Sequence, residues 1–242
     1  MELYGYWDDL ISQASGFNRY VSSHYNDIVS DAEARKAVKV LSSYSSGLGI
    51  ASPSKLTKHI VKKYKSGRII KQPKPGQLYK AIYYDSEGQP VAIESFDKLR
   101  SDGELNGKTK TRYFIPYGGA VWTAWFWGEK NVIPDNEHHK IVYDDKNRLK
   151  GFYTIGCGPV SHWVSAEEYD HSEIDSGIVT CIFTYYVEHL SGSSKDIPIG
   201  YKGSPAIQWK YVINVDENGK YTALTSYKNI EGEFVYNEHT DL

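Results

Sequence analysis

Sulfur is nearly absent from this chain, with 2 Cys and 1 Met among 242 residues. Two cysteines, Cys157 and Cys181, cannot build a disulfide framework, so the fold must rest on a packed core. In a cytosol both are reduced thiols in or near that core. Long apolar runs are missing too: no window approaches the about 18 consecutive apolar residues that suggest a membrane-spanning helix. Met1–Asp9 carries acids where a secretory leader carries Lys or Arg, and it has no apolar core segment. These absences predict a cytoplasmic protein without a transmembrane span. There is no glycine-rich phosphate loop, and neither His138-His139 nor the pair His162 and His171 has a recognised metal-ligand spacing. No cofactor and no metal are expected.

What the chain has in excess is tyrosine, 21 residues against 7 Phe. Tyr suits half-buried strand positions that keep one end wet, so this excess predicts β-structure and surfaces able to bind. Net charge is −2, but residues 53–80 carry nine Lys/Arg and no acid, whereas residues 81–242 carry fifteen basic and twenty-four acidic residues, a net of −9.

The N-terminal part reads as helical. Leu3, Trp7, Leu10, Ala14, Phe17, Val21, Tyr25 and Ile28 recur at spacings of three and four, which puts them on one helix face. Ser30-Asp31-Ala32-Glu33 has the form of a capping box and predicts a second helix running to the serines at 42–46. Ser52-Pro53 predicts the start of a third helix, amphipathic and ending at Gly67, with Lys55, Lys58, Lys62 and Lys65 on its polar side. That basic face is a candidate contact for phosphate or an acidic partner, although no nucleic-acid module accompanies it and nucleic acid is not expected as the partner. Lys71-Gln72-Pro73-Lys74-Pro75-Gly76 then breaks the chain.

Beyond it the period changes to two. Asp85-Ser86-Glu87-Gly88, Asp144-Asp145-Lys146-Asn147 and Asp216-Glu217-Asn218-Gly219 each separate two β-prone runs, with Asp opening the turn and Gly or Asn closing it. The expected fold class is therefore α+β: an N-terminal three-helix segment (1–70), then a large antiparallel, hairpin-built β-sheet or sandwich (77–242). About ten strands are expected.

Two groups of residues are candidates for function. Tyr117, Trp122, Trp125 and Trp127 lie in one aromatic block, with Trp125 and Trp127 on one strand face and Trp122 on the other. If only one face is core, the other displays rings for a protein, sugar or lipid. Gly156-Cys157-Gly158-Pro159 resembles the nucleophile motif of papain-like peptidases related to the double-glycine leader processors. That resemblance implies a thiol nucleophile at Cys157, at the start of a helix, with His189 or His239 as general base. The family's glutamine is missing, since none lies between Gln89 and Cys157.

The hairpin Ile141-Val142-Tyr143-Asp144-Asp145-Lys146-Asn147-Arg148-Leu149 resembles the Tyr-Asp repeat of bacterial Rhs proteins, and Lys80–Val91 is similar. Hairpins of this kind also occur in β-rich immunity proteins of polymorphic-toxin loci. The resemblance implies a bacterial or phage-associated β-protein that binds a protein partner. The acidic charge of 81–242 points to a basic partner such as a toxin domain. The reading reached from sequence is a non-enzymatic protein-binding protein of the immunity type. The alternatives are a thiol hydrolase using Cys157 and a phage or pore-forming structural component.

Overall fold

A computed structural model describes residues 3–45, 47–60, 67–100, 102–104, 107–127, 137–157, 161–189 and 207–242. Twelve strands dominate it: β1 (Val38–Ser43), β2 (Tyr79–Tyr84), β3 (Pro90–Phe96), β4 (Lys110–Tyr117), β5 (Ala120–Trp127), β6 (Glu137–Tyr143), β7 (Leu149–Cys157), β8 (Ser161–Asp170), β9 (Ile178–His189), β10 (Ile207–Val215), β11 (Tyr221–Ile230) and β12 (Glu233–Asp241). They form one antiparallel sheet whose strand order is the chain order. The helices are α1 (Leu3–Ser23), α2 (Tyr25–Arg35) and α3 (Thr57–Ile60). None is long and apolar enough to cross a membrane.

The class is mainly β, which corrects the expected α+β division into a three-helix segment and a sheet or sandwich. The second helix does not reach the serines. It ends at Arg35, and Val38–Ser43 is a strand whose partners run from Val38↔Tyr84 to Ser43↔Tyr79. Val38 and Val40 favour the pleated conformation, and pairing with β2 decides the segment against helix. Nor does a helix start at the Ser30 box, because α2 begins at Tyr25 and runs through Ser30. The third helix is reduced to four residues, and Ser52 closes a 3-10 turn, Gly49–Ala51, instead of opening a helix. Residues 61–66, on which the rest of that expectation falls, lie outside the described residues. A single sheet also replaces the sandwich alternative.

The hairpin turns follow directly from their sequences. Asp85 accepts the amides of Glu87 and Gln89, Asp144 those of Lys146 and Arg148, and Asp216 those of Asn218 and Lys220. The closing residues Gly88, Asn147 and Gly219 have φ of 79°, 58° and 71°, the left-handed region such loops require.

The chain divides into two compact units, Ser15–His138 and Met1–Ala14 with His139–Leu242. In the first, one face of β1–β5 packs against helix: Phe17 stacks on Trp122 at 5.0 Å and Tyr25 meets Phe126 at 5.0 Å. On the opposite face Lys80 donates to Gly47 O and lies over the Tyr44 ring, and nearby in sequence Leu48, Ala51 and Leu56 are buried. The outer edge of β1 is covered too. The Ser43 amide donates to Arg68 O, the Ile70 amide donates to Leu41 O, and Ser42 bridges Ile69. Gly67 makes this strap possible, since at φ 81° an added Cβ would sit 2.9 Å from Ser43 O.

In the second unit, Trp7 of α1 stacks on Tyr186 of β9 at 5.9 Å, and Lys140 donates to Gln13 Oε1 at 2.7 Å. Ile155, Val164 and Tyr186 form the buried cross-strand row beneath that contact.

Gly67→Ala should destabilise the fold by about 1–3 kcal/mol in urea denaturation, through both strain and overlap. Gly118→Ala, at φ 58° with open space around it, should cost only the strain part, about 1 kcal/mol. Equal losses would show that the strap contributes nothing.

Candidate functional site

Trp122 and Trp125, on opposite faces of the aromatic block, are both buried. Trp122 is 2% exposed among Phe17 and Tyr117, and Trp125 is 4% exposed on the other face. Neither displays a ring to solvent. Tyr117 is half-buried and packs on Phe17 and Tyr20. The side chain of Trp127 is outside the described side chains. Lys58 is exposed on α3, and Lys62 lies outside the described residues.

What surrounds Trp125 could not be read from the sequence. Register places Ser42, Lys80, Ser95 and Lys110 in one cross-strand row, and Ile82, Ile93, Arg112 and Trp125 in the adjacent row of the same face. Three cations consequently converge on the indole, with Arg112 Cζ at 4.1 Å, Lys110 Nζ at 4.5 Å and Lys80 Nζ at 6.0 Å from the ring centroid. Arg112 is held by Glu137 at 3.0 Å and Lys110 by Asp97 at 3.8 Å. Lys80 is 2% exposed and donates to Gly47 O at 2.7 Å, with no carboxylate of the described residues within ion-pair distance. Burial, reinforced by Arg112 and Lys110, pulls its ammonium from the usual 10.5 down to about 7.

The Cys157 motif sits in strands. Cys157 is the last residue of β7 and pairs with His162 on β8, so no helix begins at the thiol's position. His189 ends β9 opposite Ser161. The side chains of Cys157 and His189 are outside the described side chains. His239 lies on β12, with four strands between it and β7, and its ring is bonded to Thr225 Oγ1 at 2.8 Å. The structure does not bring Cys157 and His239 together. Gly156 has a packing reason to be glycine: it pairs with Trp163, and an added Cβ would overlap the indole.

The feature that sequence reasoning missed is the free edge at β12. All nine of its residues are exposed, and among the described residues it pairs with β11 alone. Five of the ten exposed large hydrophobics among the described residues fall in this hairpin: Ile230, Phe234, Val235, Tyr236 and Leu242. Register puts Phe234, Tyr236, His239 and Asp241 on one face. The strand is held to β11 by Thr225 and His239, by Asn237 Nδ2 donating to Ser226 Oγ at 3.0 Å, and by the Tyr227–Tyr236 edge contact. The Leu242 amide donates to Thr222 O. Antiparallel alternation therefore turns the amides and carbonyls of His239 and Asp241 away from β11, toward the free edge. Glu231, Glu233, Glu238 and Asp241 oppose a single cation, Lys228, over residues 221–242.

No known protein family matches this chain, and comparison of its sequence with characterised proteins finds no match.

The Lys80 environment predicts a pH signature. Its amine binds a proton less tightly in the folded state than in the unfolded state, so the folded state is penalised most below pH 7 and recovers as pH rises toward 10.5. Stability in urea should climb between about pH 7 and 10 with a slope approaching about 1.4 kcal/mol per unit, before tyrosine ionisation in the unfolded chain reverses it. Lys80→Met should flatten that climb. An unchanged profile in the variant would show that the amine titrates normally.

Proposed function

We propose that this chain is a non-enzymatic protein-binding protein that captures a basic, extended segment of its partner as an added strand along β12. The observation that carries the reading is the contrast between the two sheet edges. β1 has its outer edge strapped by residues 67–70, whereas β12 keeps nine exposed residues beside a row of backbone groups that no described residue pairs. Exposed edges are normally short, charged or covered, because they recruit other strands. Strand addition draws affinity from main-chain hydrogen bonds and specificity from alternate side chains.

Charge selects the partner. The hairpin's four acids against one Lys attract Lys- and Arg-bearing strands and repel acidic ones. The same charges disfavour a second copy of this chain. Antiparallel self-pairing centred on Asn237 sets Glu233 against Asp241, and centring on Glu238 sets that residue against itself. A basic toxin domain neutralised by an immunity-type protein is the finer form of the proposal, and the Rhs-like hairpins are in keeping with it.

A fluorescein-labelled peptide alternating Lys and Val is the direct probe. Its anisotropy should saturate on titration with the chain and weaken at least about tenfold as salt rises from about 50 to about 500 mM. Asp241→Pro removes an outward amide and no bond to β11, so it should also cut affinity about tenfold while leaving the circular dichroism spectrum unchanged. Absence of saturable binding, or binding indifferent to the proline, would overturn the reading.

A further inference from the structure

We propose that Lys80 is a carbamylation site, at which dissolved carbon dioxide adds to the buried Nζ and the resulting carboxylate is held by Lys110, Arg112 and the Ser95 hydroxyl. Three features of one sheet face support this. The amine is 2% exposed and, among the described residues, carries one hydrogen bond, to Gly47 O. Ser95 lies directly across the strand pair from Lys80, is fully buried, and its Oγ has no hydrogen-bond partner among the described residues. Lys110 continues the same row, and Arg112 and Lys80 both lie over the Trp125 ring.

The reaction needs a neutral amine. With its ammonium shifted down to about 7, Lys80 offers the neutral amine near neutral pH, where an exposed lysine stays charged. The nitrogen lone pair forms a C–N bond to carbon dioxide while one C=O π pair moves onto oxygen. The proton lost from nitrogen leaves to water, and the product is R–NH–COO⁻. Lysine charge thus changes from cation or neutral to anion in a site where Lys110 and Arg112 otherwise repel a cation, with Asp97 and Glu137 the acids nearby. An orphaned buried hydroxyl costs free energy, and an anionic acceptor opposite Ser95 would satisfy it. Carbon dioxide is also small and uncharged, which suits an amine that is 2% exposed beneath Gly47. Lys140 offers a contrast within the same chain. Burial lowers its ammonium too, but Asp9 is the charge that acts on it, and an acid there would repel a carbamate.

The test uses the full chain in ¹³C-labelled bicarbonate at about pH 7.5, with trapping of carbamates by a trialkyloxonium salt and peptide mapping by mass spectrometry. The expected result is a saturable adduct on the Lys80 peptide and a new ¹³C carbamate resonance, both absent in the urea-unfolded chain and in Lys80→Arg. Ser95→Ala should lower occupancy about tenfold at limiting carbon dioxide, the loss of one charge-assisted hydrogen bond. This variant keeps the lysine, so it decides the matter if Lys80→Arg fails to fold. A folded wild-type chain with no Lys80 adduct at saturating bicarbonate overturns the proposal. So does an adduct of equal yield in the unfolded chain, or one indifferent to Ser95→Ala.

Discussion

A β-strand has hydrogen-bonding groups on two sides, and a sheet satisfies both only where each strand has two neighbours. Because the strand order here is the chain order, every strand from β2 to β11 lies between its neighbours in sequence, and the unmet demand falls on the two ends. The chain treats those ends differently. Residues 67–70 run back along β1 and take up the Ser43 amide and the Leu41 carbonyl. No described residue does the same for β12. The proposed role follows from that asymmetry: a row of backbone groups, an acidic hairpin and exposed Phe234 and Tyr236 together offer a place for one more strand.

The alternation of side chains fixes what each strand can do. On β5, Trp122 and Phe126 meet helices while Trp125, between them, meets Lys110 and Arg112 from β4. One strand therefore serves an apolar core on one side and a buried cationic cluster on the other. Lys80 stands in that cluster with Ser95 directly opposite it and Gly47 O accepting its hydrogen bond. A buried ammonium with two cationic neighbours destabilises its own charged form, and this makes the amine chemically different from the exposed lysines. Trp122 and Trp125 of the aromatic block are both interior residues.

Local chemistry was legible in the sequence and long-range pairing was not. The three Asp-initiated turns could be read because each needs only four or five consecutive residues: Asp144 both caps its turn and anchors Arg148. The face of α1 from Trp7 to Val21 could be read for the same reason, and Trp7, Leu10, Ala14, Phe17 and Val21 are all buried. Val38–Ser43 was misread because its neighbours carry helix signals, while its strand character comes from β2, some forty residues away. The row unites Ser42, Lys80, Ser95 and Lys110, residues from four strands, and no spacing rule reveals it. That β12 lies at an edge follows from the order of all twelve strands, which no local pattern around Phe234–Tyr236 reveals.

Backbone hydrogen exchange, resolved by residue along β12, tests the central claim most directly. If the edge is open, the amides of His239 and Asp241 exchange at close to the unstructured rate in the free chain, while those of Thr240 and Leu242 are slowed by bonds to β11. Binding of the basic partner strand should then slow His239 and Asp241 and leave Thr240 and Leu242 nearly unchanged. Slow exchange at His239 and Asp241 in the free chain would mean that the edge is already covered, and the account would be wrong.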